Sequence, residues 1–586
     1  ARSHRALLVV TRPTTFRAFM QVPALRQLAR AGGAGLVATN QTYRNDRTSV
    51  DEALLDGAGP VPDAAALPSL LLQLKLSGIS VCGIRLECAT APGFAWFPQS
   101  TMSPAQAGVV ARSFAASDDG AQTLIVVVAL QPTAGMDRVG DEVTPIVMAE
   151  GAPSRLFPTN GPMHALTSDT TRYPGLVANV DVAPTILSFF HVPIPSSMSG
   201  SPMRVARAPA PFTLDRRQIQ YRAIRTPLQV TEGILVSAAG IAVTLGLVAL
   251  DRRGRISKRA SLAWRSLILL VVALPIPLAL GGLLPSFTYA TVTAWVVLWA
   301  VLLAGLALVV RRDDPMFALT FLGIVGLVAL FADLLIGAHG LRIPLLGGTM
   351  FEGVRMYGLP NAFISTLLAS GLFCAVRLDT ARGTILLAGC GLVAGLPQLG
   401  ADVGASITLF AAAGLWWQLR SRGRLGIREL VVAFLVTVAG LAVVLLVSRF
   451  GTSAPTHATR FVERTGSSPS SALAEIGHRL WVGVHQIATY PVSLIPLIGL
   501  PAMLWVAVRR PGVVGRGVAG APAWRDVAIV VALAAAVAYI ANDTGMAAAA
   551  PALLYGIAAI AYPAFTFACR PAPSERPDRE REASAA

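Results

Sequence analysis

Seven side chains combine a reactive type with a suggestive setting. Thr48, in Arg47-Thr48-Ser49, carries a hydroxyl that becomes a nucleophile when a base or metal lowers its pKa. Glu352, Arg355, Tyr357 and Asn361 share the glycine-rich stretch Gly347 to Asn361. That set offers a carboxylate, a guanidinium, a phenol and an amide, and a guanidinium grips phosphate oxygens in pairs. Asp402 lies in Gly400-Ala401-Asp402-Val403-Gly404 and Asp543 in Asn542-Asp543-Thr544-Gly545. Carboxylates near membrane depth face water or a partner. Each has a plainer reading. Thr48 is then a loop threonine, Glu352 and Arg355 an ion pair closing a loop, and Asp beside Gly a turn or cap.

The elements that must position these groups are mostly apolar. Hydrophobic residues make up 54% of the 586 and charged residues only 14%, and the deficit lies after about residue 228. Runs such as Gly233 to Leu250, Ser266 to Arg311 and Leu430 to Ser448 carry no charge before their ends. A bilayer core about 30 Å thick takes about 20 helical residues, which these runs supply. The pattern predicts about eleven spans, near 231–250, 263–284, 288–310, 316–337, 360–377, 384–398, 403–419, 429–448, 489–508, 526–541 and 547–568. Sorting the loops by side puts about 22 Lys and Arg on one and about 6 on the other. The arginine-rich side is then cytoplasmic. This gives a multi-pass plasma (inner) membrane protein with an extracytoplasmic domain at 1–228, a transmembrane helical domain at 229–569 and a disordered cytoplasmic tail at 570–586. The outer loop is expected to hold an amphipathic surface helix over 470–486, with Asp333 buried inside the fourth span.

The net charge of +16 is accounted for by these loops, so nucleic acid is not an expected partner. The five cysteines include no Cys-x-x-Cys pair and no Cys/His cluster, so no zinc site is expected. A Cys82–Cys88 disulfide stays open on sequence grounds. The opening Ala1-Arg2-Ser3 suits a chain whose leader has been removed, and a cut elsewhere would look the same.

Before residue 228 the pattern changes. His4 to Val10, Thr123 to Leu130 and Val143 to Ala149 are short apolar runs, and Val22 to Ala31 reads as a helix. β-branched runs separated by helices predict buried parallel strands in an α/β domain. Residues 166–200 are more specific, with Asp181-Val182-Ala183-Pro184-Thr185-Ile186-Leu187, then His191-Val192-Pro193-Ile194-Pro195 and Met198-Ser199-Gly200. This resembles the C-terminal core of the alkaline phosphatase superfamily, where a strand leads into a helix beginning near the Pro-Thr and a proline-rich loop closes the fold. Asp181 suits a cap and Pro184 a first helical turn. Leu25 to Ala29 and Gly32 to Thr39 resemble the family's early helix and strand.

The resemblance implies two divalent metals on Asp and His ligands, with a Ser or Thr nucleophile. An Asp should follow the first strand, and here Thr11-Arg12-Pro13-Thr14 stands instead. An Asp-His pair should follow a later strand, and here Gln131-Pro132-Thr133-Ala134-Gly135 stands. Thr48 falls near the nucleophile position, and His164 is a lone candidate for the late ligand. Asp141, Asp169 and Asp181 do not rebuild a metal pair. The expectation is a pseudoenzyme without a cofactor, a divalent metal entering only if the site is intact after all.

In the membrane half, Gly-x-Arg-x-Tyr-Gly-x-x-Asn, ending at Asn361, loosely resembles a stretch of O-antigen ligases and polymerases, which implies an arginine that binds a lipid-linked pyrophosphate. The family's proline follows an asparagine, whereas Pro360 precedes Asn361. Three functions are therefore in play. The first is binding of a phosphorylated or lipid-linked envelope ligand, or an envelope protein, by the soluble domain beside membrane lipids. The second is a transferase or hydrolase acting on a lipid-linked phosphate or sugar at the outer face. The third is a transporter or flippase lined by Asp333, Asp402 and Asp543.

Overall fold

The computed structural model describes residues 4–38, 69–83, 93–97, 102–118, 120–129, 143–195, 198, 200–254, 256–347, 357–451, 494–542 and 545–567, with single positions at 477, 481 and 485. Thr48, Glu352, Arg355, Asp543, Cys88, Asp141, the tail and nearly all of 470–486 lie outside these residues. The chain divides into two compact units. One comprises Ala1–Thr226, Ser286–Thr288 and Gly348–Tyr357, and the other Pro227–Pro285, Tyr289–Gly347 and Gly358–Ala586.

The first unit is built on a mixed sheet. Its strands are β1 (His4–Thr11), β2 (Gly33–Ala38), β3 (Val81–Gly83), β4 (Gly93–Phe97), β5 (Gln122–Ala129), β6 (Thr144–Gly151), β7 (His164–Thr167), β8 (Leu176–Ala178) and β9 (Arg204–Pro209). Their order is β3-β4-β1-β5-β6-β2-β7-β9, with β8 paired to β2. β1 runs parallel to β5, Leu8 opposite Val126. β6 runs antiparallel to both neighbours, with Met148 opposite Val126 and Ile146 opposite Gly35. The expectation of parallel strands is therefore corrected at β6. A continuous apolar run reports burial on both faces and carries no information on direction.

Helices cover the sheet. They are α1 (Phe16–Phe19), α2 (Pro23–Ala31), α3 (Ser69–Leu76), α4 (Pro104–Ala116) and α5 (Val182–Phe189). Ser103 starts α4 with a reciprocal cap: its Oγ accepts the Gln106 N–H, and Gln106 Oε1 accepts the Ser103 N–H. Pro104 at the first helical position loses no hydrogen bond. Leu8, Val126, Ile146, Leu166, Ile186 and Leu187 meet in one core. Each such side chain contributes about 1.5–3 kcal/mol by leaving water. The close of the fold depends on Gly200, where a Cβ would meet the Val180 carbonyl oxygen at 1.9 Å.

The second unit is helical. Its main helices are α6 (Phe212–Arg253, whose first turns belong to the first unit), α7 (Lys258–Ala273), α8 (Tyr289–Val309), α9 (Phe317–Leu335), α10 (Ile364–Ala375), α11 (Thr380–Gly395), α12 (Val403–Arg422), α13 (Ile427–Gly451), α14 (Leu494–Arg509), α15 (Gly512–Gly520), α16 (Pro522–Ala541) and α17 (Pro551–Phe567). Among the described residues, six are long and apolar enough to cross a membrane: α6, α7 with its continuation to Leu283, α8, α9, α13 and α16. A pair formed by Pro496–Arg509 and α15, bent by 68°, makes up to seven. The apolar windows of α6 and α13 are only 17% buried within the protein. Such extended apolar faces are stable in lipid and not in water. The C-terminal half is thus a helical region with six candidate membrane spans.

Several expected spans come out short. The apolar helices at Asn361–Ala375, Thr380–Gly395 and Pro551–Phe567 have under 18 residues. Pro360 stands at the N-cap of the turn that opens the first, and Asp379 caps the second through the Arg382 N–H. The first and third fall short of the expected 360–377 and 547–568 because apolar composition continues across their ends, whereas the second, expected at 384–398, is offset toward the N-terminus and no shorter. No loop marks the expected boundary at 228, because Pro227 lies inside the 42-residue α6.

Candidate functional site

In an open α/β sheet, ligands bind outside the carboxyl ends of the parallel strands. Here that edge is formed by Thr11 and Arg12 after β1, Ser168 to Arg172 after β7, and Asn179 after β8. The antiparallel β6 starts there at Thr144, opposite Val37, which in turn pairs with Val177. Arg12 is exposed, and its backbone N–H donates to the Met102 carbonyl at 2.9 Å. The hydroxyls of Thr11 and Thr144 are buried with no hydrogen-bond partner. The edge therefore presents a guanidinium and hydroxyls where the family resemblance implies carboxylates.

The aspartates near this edge are engaged in holding the fold. Asp181 is fully buried and accepts the Ala178 N–H at 2.8 Å, the Ser201 N–H at 2.9 Å and the Thr170 hydroxyl. Burial pushes its carboxyl above the usual range, against the pull of these donors. Asp181 stands at the N-cap of α5, yet its side chain makes no bond to that helix. Thr185 finishes the clasp, donating to the Asp181 carbonyl at 2.6 Å and accepting the Met203 N–H at 2.8 Å. Asp169 pairs with Arg204. His164 starts β7 opposite Gly33, at the amino end of the sheet, away from Thr11 and Arg12. The structure thus separates the candidate late ligand from the edge it would have to serve. Among the described residues no group of three or more His, Cys, Asp or Glu is placed to hold a metal ion. Cys82 is disulfide-bonded.

The bundle carries a second polar cluster. Leu359 donates its N–H to the Gly400 carbonyl at 2.8 Å, which fixes the turn before Asn361 against the loop before Asp402. Asn361 opens a short 3-10 turn that feeds α10. Asp402 caps α12, its Oδ1 accepting the Ala405 N–H at 2.9 Å, and is 4% exposed. Gly404 lies so near Asn542 that a Cβ would meet Asn542 Oδ1 at 2.2 Å. Ala401 is held at φ +49°, in the left-handed region that costs a non-glycine residue about 1–3 kcal/mol. Nearby, the Ser365 hydroxyl donates to the Ala548 carbonyl at 2.8 Å and Tyr555 to Thr366 at 2.9 Å. The turn before Asn361 and the loop before Asp402 are therefore brought together, and Asn542, the neighbour of Asp543, lies against Gly404.

No family model matches this chain. No curated protein matches it in sequence either.

Tyr357 goes elsewhere. It belongs to the first unit, where the Arg172 guanidinium lies 4.0 Å from its ring centroid. Asp333 is buried, but both oxygens are occupied by backbone: Gly340 N–H at 2.7 Å and Leu341 N–H at 2.9 Å. It closes the loop after α9. Sequence reasoning missed Asn542, whose amide donates to the Ala538 carbonyl at 2.8 Å, although it adjoins a residue that was singled out.

The other end of the bundle gathers the arginine-rich loops. Asp314 and Arg377 pair at 2.6 Å, Arg420 and Asp526 at 3.1 Å, and Asp251 accepts the Val513 N–H at 2.8 Å. Loops that the charge count assigned to one side are thus tied to each other.

Proposed function

We propose that the protein is a multi-pass envelope membrane protein whose N-terminal domain has an alkaline-phosphatase-like fold turned from catalysis to binding a phosphorylated or glycan ligand, or a partner protein. One observation carries this reading. At the carboxyl edge of the sheet an exposed Arg12 follows β1, while Asp181 and Asp169 are committed to structural bonds. A cation there repels divalent metals and attracts anions. Metal analysis and hydrolysis of 4-nitrophenyl phosphate with Mn²⁺ or Zn²⁺, on the full-length protein in detergent, test it. The expected result is no stoichiometric metal and no turnover. Two bound metal equivalents with hydrolysis overturn it.

The proposed topology has about eleven spans, counting the short apolar helices, with the domain outside and the arginine-rich end in the cytoplasm. The mutual contacts of the arginine-bearing loops support one such end, and a disulfide at Cys82 suits an oxidising compartment. A membrane-impermeant maleimide should label Arg207→Cys in intact cells and Arg424→Cys only after permeabilisation.

A second reading, an outer-face transferase acting on a lipid-linked phosphate or sugar, is favoured by the contact of the turn before Asn361 with the loop before Asp402, and by Asn542 lying against Gly404. On the proposed topology, this cluster, where α10 begins and α11 ends, lies at membrane depth toward the outer face. Irregular backbone at such depth is stable only when packed in protein or beside water.

A further inference from the structure

The first turns of α6 carry a polar face that the preceding readings leave unused. From Phe212 to Thr231 this segment holds four arginines (Arg216, Arg217, Arg222 and Arg225) against one acid, Asp215. Gln218, Tyr221, Arg222 and Arg225 fall at helical spacings of three, four and seven, so they share one face. Gln218 and Tyr221 are 0% exposed and Arg222 is 5% exposed. Both amide atoms of Gln218 are buried without a hydrogen-bond partner. All of these residues belong to the first unit.

Leaving a buried amide unsatisfied costs about 1–3 kcal/mol for each polar group. Native proteins keep such groups rarely, and a ligand, water or ion is the usual explanation. The surroundings are rigid, since Tyr221 meets Phe287 edge-on at 5.5 Å, the Arg217 guanidinium sits 5.4 Å from the same ring, and Gln220 Oε1 accepts the Phe287 N–H at 3.3 Å. These arginines precede, in the same helix, an apolar window long enough to cross a membrane, and arginines just outside such a window meet lipid head groups. On the proposed orientation that level is the outer surface, where loop arginines are otherwise sparse.

We propose that this face binds a phosphate ester carrying a free hydroxyl. Arg222 and Arg225 supply the charge and paired donors that phosphate oxygens accept. The Gln218 Nε2 donates to a further phosphate oxygen. Its Oε1 accepts from the ligand hydroxyl, so both orphaned atoms are satisfied by one molecule. A phosphoglycerol head group or a soluble phosphorylated polyol has this chemistry, and phosphatidylcholine, with no hydroxyl, lacks it. The site is independent of whether the sheet edge is catalytic, and binding in detergent is independent of orientation.

Native mass spectrometry of the full-length protein, released from nanodiscs containing phosphatidylglycerol and phosphatidylcholine, tests the lipid source. Titration with glycerol 3-phosphate tests the soluble one. The expected result is selective retention of phosphatidylglycerol, or saturable binding of glycerol 3-phosphate, and the arm that responds identifies the source. Gln218→Met removes both amide atoms at similar volume and should weaken binding about tenfold while leaving the unfolding temperature unchanged or raised. Arg222→Lys keeps the charge but loses the planar fork, and should also weaken binding. If Gln218→Met does not fold, Arg222→Lys alone decides. Failure of the wild type to prefer either probe over phosphatidylcholine overturns the proposal. So does undiminished binding by the folded Gln218→Met protein, or by Arg222→Lys where it decides alone.

Discussion

Oδ1 of Asp181 accepts the backbone N–H of Ser201 across 2.9 Å, joining positions 20 residues apart. The same carboxylate holds Ala178, at the end of β8, and Thr170, in the loop after β7. One side chain therefore locks three segments that the sequence presents as a single motif.

Replacing Asp181 by alanine should strand the buried N–H groups of Ala178 and Ser201. At about 1–3 kcal/mol for each orphaned donor, the domain should lose several kcal/mol. Limited proteolysis of the full-length protein, followed over temperature, should show cleavage of the N-terminal unit at lower temperature. The helical unit should remain protected. Equal resistance in the two proteins would mean that the clasp contributes little.

The Arg377 guanidinium, hydrogen-bonded to Asp314, holds that carboxyl below its usual value of 3.8. A depressed carboxyl contributes stability that is present above 3.8 and lost as the pH falls through its lower folded value. Arg377→Gln removes the cause. The unfolding temperature of the wild type should exceed that of the variant at neutral pH, and the gap should close below about pH 3.8. Both side chains are about one-third exposed, so added salt should narrow the gap as well.

Much of the fold was legible because it rests on local patterns. The strands β1, β5 and β6 and the helix α2 follow from apolar runs and helical spacing, β2 and the turn into α5 were read from the family resemblance, and Asp181, expected as a cap, makes no capping bond. The partners of Asp181 were not legible, because they depend on which loops the sheet brings to one edge. β6 shows the same limit for direction. At the bundle cluster, Asn361 and Asp402 stood out as polar residues in glycine-rich turns. The contact of their loops depends on how α10 packs against α11 and α12. Tyr357 shows the converse: only four residues from Asn361, it belongs with Arg172 in the other unit.

Gly404→Ala places a methyl against Asn542 Oδ1, where the contact would be 2.2 Å. The end of a short asparagine side chain can shift, but the Ala541 carbonyl is also within 2.9 Å. Overpacking of this kind costs about 1–3 kcal/mol. The variant should unfold at a lower temperature in detergent, and Asn542→Ala in the same chain should recover part of the loss. Absence of recovery would place the strain on the backbone alone.

Asp402 offers the cleanest separation of a structural role from a chemical one. Its Oδ1 caps α12, and loss of such a cap costs about 0.5–2 kcal/mol. Asparagine caps about as well as aspartate but carries no charge. Asp402→Ala should therefore lower the unfolding temperature, whereas Asp402→Asn should leave it nearly unchanged. If the residue only caps, cells relying on Asp402→Asn should make the same envelope glycans and lipids as the wild type. If the outer-face transferase reading holds, Asp402→Asn should be stable yet accumulate an unprocessed lipid-linked precursor. Lipid extraction and mass spectrometry of the two strains decide between a helix cap and a reacting carboxylate.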